Sequence, residues 1–303
     1  MKRHSFRLPA STSNLGAGFD ALGLALQKYL YVSVEVSSTL SIDARGVSME
    51  SIPTGPDNLI VKVAQTVAKD RNRELPAFKM LVENEIPLAR GLGSSAAAIL
   101  AGITCYEMLT QDRLGDDEIF RYALQFESHP DNLAAALYGG LVSAATTTNS
   151  VQVARLEMAP GTDAVAVIPE YELSTARARA VLPESYSRTD AIYNIQRSAL
   201  TVAALTAGKW SILREAMRDR VHQPYRQPLV PGLAEILELE IPDLLGIALS
   251  GAGPTVFAIT KKGAAAKVGE HVVAVFAKHG VKANAIALTV DLQGRVISDL
   301  TGS

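Results

Sequence analysis

The chain has 303 residues, 48% of them hydrophobic, which is enough for a sizeable core and long enough for two domains. With 29 Lys+Arg against 31 Asp+Glu the formal net charge is -2, which excludes the basic excess of a nucleic-acid binder and the acidic run of a solvating tail. Gly, Ser and Thr break the most apolar stretches well short of the ~18 residues a membrane span needs, so neither nucleic acid nor membrane is expected as a partner.

A single cysteine, Cys105, excludes an internal disulfide; set among Ile103, Tyr106 and Met108, it reads as a buried structural thiol. The opening "MKRHSFRLPASTSN" has basic residues but no apolar run behind them, so no secretory leader is expected there. A cytoplasmic setting follows as the expectation.

In chain order, "YLYVSVEVSS" (29–38) alternates Val32, Val34 and Val36 with Tyr31, Ser33 and Glu35, the pattern of a half-buried strand. "DNLIVKVAQTVAKDRN" (57–72) opens on an Asp/Asn cap and puts Ile60, Val63, Ala64 and Val67 on one helical face. A strand over 77–87, helices over 94–110, 116–126 and 130–138, and a strand over 139–147 are predicted next. Turn residues and a charged, strand-like piece over 146–163 put a domain junction near residue 160, giving domains 1–160 and 161–303. Beyond it come a strand at 164–169, helices over 189–207, 209–219 and 231–239, and a strand–glycine turn–strand over 245–263. An amphipathic helix (264–280) and a last strand (282–291) follow. Mixed helices and antiparallel-looking strands favour α+β layers over a regular βαβ series.

The stretch "IPLARGLGSSAAAILAGI" (86–103) runs a glycine turn into two serines and an apolar helix. Helix N-termini carry unpaired N–H groups and partial positive charge, so such a loop can hold phosphate without a lysine. Gly91 and Gly93 let the backbone turn tightly, and Ser94 and Ser95 add hydroxyls. The P-loop pattern G-x-x-x-x-G-K-[ST] is absent. Gly91, Gly93 and Ala96 match the letters of a dinucleotide fingerprint, but "NEIPLAR" separates them from the preceding strand. Two further glycine turns stand out, "STSNLGAGFDALGLAL" (11–26) and "SGAGPTVFAI" (250–259).

Together these three segments resemble the GHMP kinase superfamily. "PLARGLGSSAA" is similar to its phosphate loop and "SGAGPTVF" to its C-terminal glycine motif. "PASTSNLGAGFDALGLAL", "ESHPDNLAAALYGGL" (127–141), "STARARAVLP" (174–183) and "HQPYRQPLVPG" (222–232) narrow the resemblance to homoserine kinases, in order and over nearly the whole chain. The resemblance implies a two-domain α+β fold, a ribosomal S5 domain 2-like N-terminal domain and a ferredoxin-like C-terminal α/β sandwich, with the active site in the cleft. It implies γ-phosphoryl transfer from ATP, with Mg²⁺, to the hydroxyl of L-homoserine on the route to threonine, and a homodimer.

It also implies roles. Pro87, Leu88, Ala89, Arg90, Gly91, Leu92, Gly93, Ser94, Ser95, Ala96 and Ala97 would form the ATP loop. Ser94 or Ser95 and Glu127 would ligate Mg²⁺, although only "SHP" separates Glu127 from Asp131 where many homoserine kinases have a longer stretch. Arg179 and Arg226 would hold the acceptor carboxylate through planar guanidinium forks. Asp20 would face its ammonium, with Asn14, Asn132 and Gly253 beside it; Asn14, Asp20 and Ser95 would be closest to the chemistry. His129 is expected to brace its loop rather than act as a base, since phosphoryl transfer rests mainly on positioning and charge. The run "REAMRDR" (214–220) reads as a solvated helix face. Competing readings are a kinase for another small hydroxylated metabolite, which would not need both arginines, and a non-catalytic sensor, against which the intact glycines, Ser94 and Glu127 speak.

Overall fold

Strands β1 (Arg3–Ser13) and β2 (Leu22–Val36) pair as a long antiparallel hairpin in the computed structural model, which describes residues 3–50, 52–148 and 150–299. Strand β3 (Ser41–Gly46), helix α1 (Leu59–Asp70) and strand β4 (Phe78–Asn84) follow, with β4 antiparallel to β2 and parallel to β3. Helices α2 (Ser94–Thr110), α3 (Asp116–Ala123) and α4 (Pro130–Tyr138) come next. Strands β5 (Leu141–Thr146) and β6 (Val151–Leu156) then add a hairpin that joins the sheet through β2.

The rest of the chain builds a second sheet. Strand β7 (Thr162–Pro169) is followed by helices α5 (Thr175–Ala180), α6 (Arg188–Ala207), α7 (Trp210–Ala216), α8 (Gln223–Arg226) and α9 (Leu233–Leu237). Strands β8 (Leu244–Leu249) and β9 (Val256–Lys261), helix α10 (Ala265–Lys278) and strand β10 (Ala283–Leu288) complete the antiparallel order β10-β7-β9-β8. The last strand, β11 (Val296–Asp299), returns to the first sheet and pairs with β1. Residues 290–299 thus lie with the first sheet although they follow the second in sequence.

Local chemistry explains most elements. Asn58 caps α1, its Oδ1 accepting from the Ile60 N–H at 2.9 Å, and Ile60, Val63, Ala64 and Val67 are buried as their spacing predicts. Helix α2 is apolar nearly all round and is buried all round. Gly102 lets α1 cross it closely, since a Cβ there would stand 2.5 Å from that of Val63. In β7, Ala164, Ala166 and Ile168 face a core shared with the first sheet, while Val165 and Val167 face a second core under α10.

Three differences from the sequence reading have physical causes. The segment read only as a glycine turn contains the first half of β2: "LGLAL" is buried on both faces and shows no alternation. Gly23 lies directly under α4, where a Cβ would sit 2.4 Å from the Asp131 carbonyl oxygen. Strands β1, β3 and β11 carry too little apolar alternation to be read locally; their partners in the sheet define them. The run 214–220 is a solvated face only in part, with Glu215, Arg218 and Arg220 exposed. Ala216, Met217 and Asp219 are buried; α7 ends at Ala216, and the Asp219 carboxylate takes the backbone N–H groups of Val221, His222 and Gln223, shaping the turn into α8.

Candidate active site

One cavity of about 500 Å³ lies where β1, the loop before α2, the start of α4, α5, α8 and the turn between β8 and β9 converge. Of the residues singled out in the sequence, it is lined by Asn14, Asp20, Ser94, Ser95, Glu127, Asn132, Arg179 and Arg226, and by Leu88, Ala89, Gly91, Gly93 and Ala96 of the loop. Pro87, Arg90, Leu92, Ala97 and Gly253 stand behind the lining. Leu92 and Ala97 belong to the core. Arg90 is a latch: it donates to the carbonyls of Leu88 (2.9 Å), Pro169 (3.1 Å) and Glu170 (2.7 Å), tying the loop to the end of β7.

The loop is shaped by its neighbours. Gly91 and Gly93 adopt φ of +78° and +70°. A Cβ on Gly91 would meet the Ser250 carbonyl oxygen at 2.2 Å, and one on Gly93 the Ser11 Oγ at 2.0 Å. The Leu92 carbonyl accepts from Ser11 N–H at 3.1 Å, pinning the loop to β1. Ser250 Oγ lies 2.6 Å from the Gly91 carbonyl oxygen and 2.8 Å from Thr12 Oγ1, so the second half of the chain holds the loop from the other side. Gly93 occupies the N-cap of α2 and no side chain caps that helix. The first-turn N–H groups at Ser94, Ser95 and Ala96, which have no intrahelical acceptor, are therefore available beside the cavity.

These features fit a phosphate chain: a tight loop that only glycine can form at positions 91 and 93, and an uncapped helix end. Ser94 and Glu127 offer the few hard oxygen donors Mg²⁺ needs from protein. Glu127 Oε1 is held by the Ser128 N–H and His129 Nδ1, each at 3.1 Å. Among the described residues there is no cluster of three or more His, Cys, Asp or Glu able to hold a metal alone. Away from the glycines, Met49, Ile52, Pro53, Leu59, Ile60 and Val82 make an apolar wall suited to a flat heterocycle.

The opposite end is charged with both signs. Asp20 sits at φ +57°, its backbone N–H bonded to Asn14 Oδ1 at 3.0 Å, and Arg179 Nη2 reaches its Oδ1 at 2.6 Å. The Arg179 Nε is buried and makes no hydrogen bond within the protein. Arg226 is only 1% exposed; its Nε donates to the Ala178 carbonyl at 3.1 Å and its Nη1 to the Gly251 carbonyl at 2.9 Å. Burial and the neighbouring Arg179 lower its pKa to about 10, so it stays charged at neutral pH. The Asn132 amide is fixed, accepting from Ser11 Oγ at 2.8 Å and donating to Ser13 Oγ at 2.9 Å. Asn14, Leu15, Asp20 and Ala89 are four of the seven non-glycine residues with positive φ among those described, so backbone strain gathers around this cavity.

Sequence alone gives Phe19 and Asp131 no role, and His129 only that of a brace. Phe19 lies at the centre of the charged end, with the Arg179 and Arg226 guanidinium carbons 5.3 and 5.4 Å from its ring centroid. Asp131, 2% exposed, has its pKa raised to about 6, first by burial and then by the charge of Asp20. His129 lines the cavity between Glu127 and Asp20, its Nε2 3.9 Å from Asp20 Oδ2. Phe19 and Asp131 lie inside quoted blocks, but only the folded arrangement distinguishes them from neighbours.

Comparison with known proteins agrees with this architecture. Residues 58–140 match the GHMP kinases N terminal domain and residues 201–278 the GHMP kinases C terminal domain. The homoserine kinase of Solibacter usitatus is 46% identical over 258 residues, 85% of each chain. The chain belongs to the homoserine kinase family. The homoserine kinase of Desulfitobacterium hafniense is 39% identical over 96% of this chain and 98% of its own. The crystal structure of homoserine kinase from Cytophaga hutchinsonii superposes with a TM-score of 0.85 at 25% identity, covering 98% of both chains. Lactococcus lactis galactokinase, at 16% identity and a TM-score of 0.70, shares the fold alone. The α+β GHMP kinase fold implied by the motifs is therefore the fold observed, and family membership makes the chain a kinase.

Proposed function

We propose that this chain transfers the γ-phosphoryl group of ATP to the side-chain hydroxyl of L-homoserine, giving O-phospho-L-homoserine for threonine synthesis. The observation that carries the reading is the charged end of the cavity. Asp20 and Arg179 stand 2.6 Å apart with Arg226 behind them, opposite signs matched to the ammonium and carboxylate of one amino acid. A neutral acceptor would offer these two guanidinium charges no counterpart.

In this reading the glycine loop and the α2 N-terminus hold the phosphates, and the wall from Met49 to Ile60 holds the base. Mg²⁺, held by Ser94 and Glu127, would supply positive charge for the phosphate oxygens. Asp20 turns from Arg179 toward the ammonium, releasing the guanidinium to the carboxylate together with Arg226. Asn14 and Asn132, each fixed by two hydrogen bonds, present rigid amide dipoles beside the acceptor. Ser95 stands at the head of α2, next to the transferred group. A loose transition state asks for alignment more than for a base, so the hydroxyl proton passes to the phosphoryl group as the bond forms. His129, bonded to Glu127, serves as the brace of that loop.

Initial rates of ATP consumption across L-homoserine, L-threonine, mevalonate and galactose test this. Turnover confined to homoserine is the expected result; silence with all four while ATP still binds would remove it. The same reading carries a homodimer in the cytoplasm, for which light scattering of the purified chain and fractionation of the producing cell are the checks.

A further inference from the structure

A buried imidazole outside the acceptor contacts above links the two halves of the site. His222 is 0% exposed and stands at the head of α8. Its Nε2 lies 2.9 Å from the Gly16 carbonyl oxygen, which can only accept. Its Nδ1 lies 3.1 Å from Arg226 Nη1, which can only donate. The ring is therefore neutral, protonated at Nε2 and lone-paired at Nδ1. Gly16 belongs to the turn that carries Asn14 and Asp20, and Arg226 belongs to the second half of the chain.

The surroundings hold the ring in that state. Phe19 stacks on it, centroids 5.0 Å apart and planes 18° from parallel. Asp219, fully buried at its side chain, takes the His222 and Gln223 N–H groups at 2.9 and 2.7 Å and accepts from Asn194 of α6 at 2.7 Å. The charged and titratable groups facing this cluster are Asp219 and Arg226, then Asp20, with Arg179 and Tyr186 around Arg226. Asp219 Oδ2 is 3.7 Å from Nε2, a distance at which the Gly16 carbonyl remains the closer acceptor.

We propose that His222 is a positioning residue for the acceptor substrate: its neutral ring couples the Asn14–Asp20 turn to Arg226 and so sets the spacing between the ammonium and carboxylate subsites. The inference rests on the proposed function. Protonation of Nδ1 would remove the acceptor of Arg226 and put two cations face to face, so the link opens in acid. Burial and the Arg226 charge lower the pKa of His222 below its usual 6.5, which keeps the link closed at neutral pH.

Two variants, compared with wild type, and one spectrum test it. His222→Leu removes both bonds; His222→Gln keeps one acceptor and one donor without a titrating charge. The expected result for Leu is a KM for L-homoserine raised about tenfold or more, with KM for ATP within about twofold, and for Gln a recovery to within about threefold of wild type. In wild type, kcat/KM for homoserine should fall along an acid limb below pH ~6.5 that the Gln variant lacks. Long-range ¹H–¹⁵N correlation on the wild-type protein at pH ~7.5 should show an Nε2–H ring with a free Nδ1. A ring protonated at Nδ1, or equal rises in both KM values, or a folded Leu variant with unchanged homoserine KM, would each overturn the proposal. If the Leu variant does not fold, superimposable pH profiles of wild type and the Gln variant would do the same. A wild-type chain that turns over no homoserine sinks the functional reading itself, a result distinct from an active wild type with indifferent variants.

Discussion

The two ends of the cavity are built on opposite plans. At the glycine end, consecutive residues 91–96 place main-chain N–H groups at the head of one helix, and the chemistry belongs to the backbone. At the charged end, Asp20, Asn132, Arg179 and Arg226 come from four separate stretches, and side chains from both halves of the molecule do the work. A backbone site needs room more than identity, hence glycines pressed against Ser11 and Ser250. A side-chain site needs its members held in register by groups that never touch the ligand, hence Asp219 and His222.

That contrast predicts which substitutions harm which substrate. The largest effect is expected from Gly93→Val: the Cβ collides with Ser11 Oγ and the left-handed backbone disfavours a branched residue, so kcat/KM for ATP should fall about a hundredfold or more. If loss of the acceptor site rather than the loop dominated, KM for homoserine would rise instead. Arg179→Gln should cost roughly 2 kcal/mol in kcat/KM for homoserine, about thirtyfold, with KM for ATP unchanged, since under the proposed function its charge-assisted bonds go to the acceptor and not to ATP. Steady-state kinetics with each substrate varied in turn separates the two cases.

Asp131 sharpens the comparison from the side of stability. Its folded pKa is raised, so the native state holds the proton more tightly than the unfolded chain. Its contribution to stability is whole below about pH 4 and is lost as pH rises through about 6. Asp131→Asn keeps the acceptor for the Asn132 N–H and removes the ionisation. Its stability relative to wild type should therefore improve by about 2 kcal/mol between pH ~4 and pH ~7.5, measured by urea unfolding. An advantage that does not change with pH would show that burial leaves this carboxyl unperturbed. The smallest effect is expected at the apolar end, where Asn58→Ala removes the cap of α1 and should lower stability by about 1 kcal/mol with little change in homoserine kinetics. Thermal unfolding and the same kinetics check it.

Much of the glycine end is legible in the sequence because its signals are local. Two glycines, two serines and an alanine-rich helix are adjacent, and each constrains its own backbone. The charged end is legible only through blocks shared with a family, since nothing in "STARARAVLP" by itself says which arginine meets Asp20. The supporting residues stayed hidden for the same reason. Asp219 sits in a charged run that resembles a solvated helix face, yet its carboxylate is buried where the chain leaves α7 and ties that turn to Asn194. Arg90 is an arginine in a phosphate-type loop, yet its donors go to carbonyls of β7 and its extension.

By itself, then, the sequence determined the α+β character, the capped and amphipathic helices, the phosphate-type loop and the family. These depend on neighbours within a few residues, where propensity, capping and glycine geometry act. The tertiary structure alone decided that β11 returns to the first sheet, that two guanidinium groups gather at the Phe19 ring, and that His222 spans from Gly16 to Arg226. Those contacts join residues up to about three hundred positions apart, and their energies depend on burial and angle, quantities that arise only once the two sheets have packed.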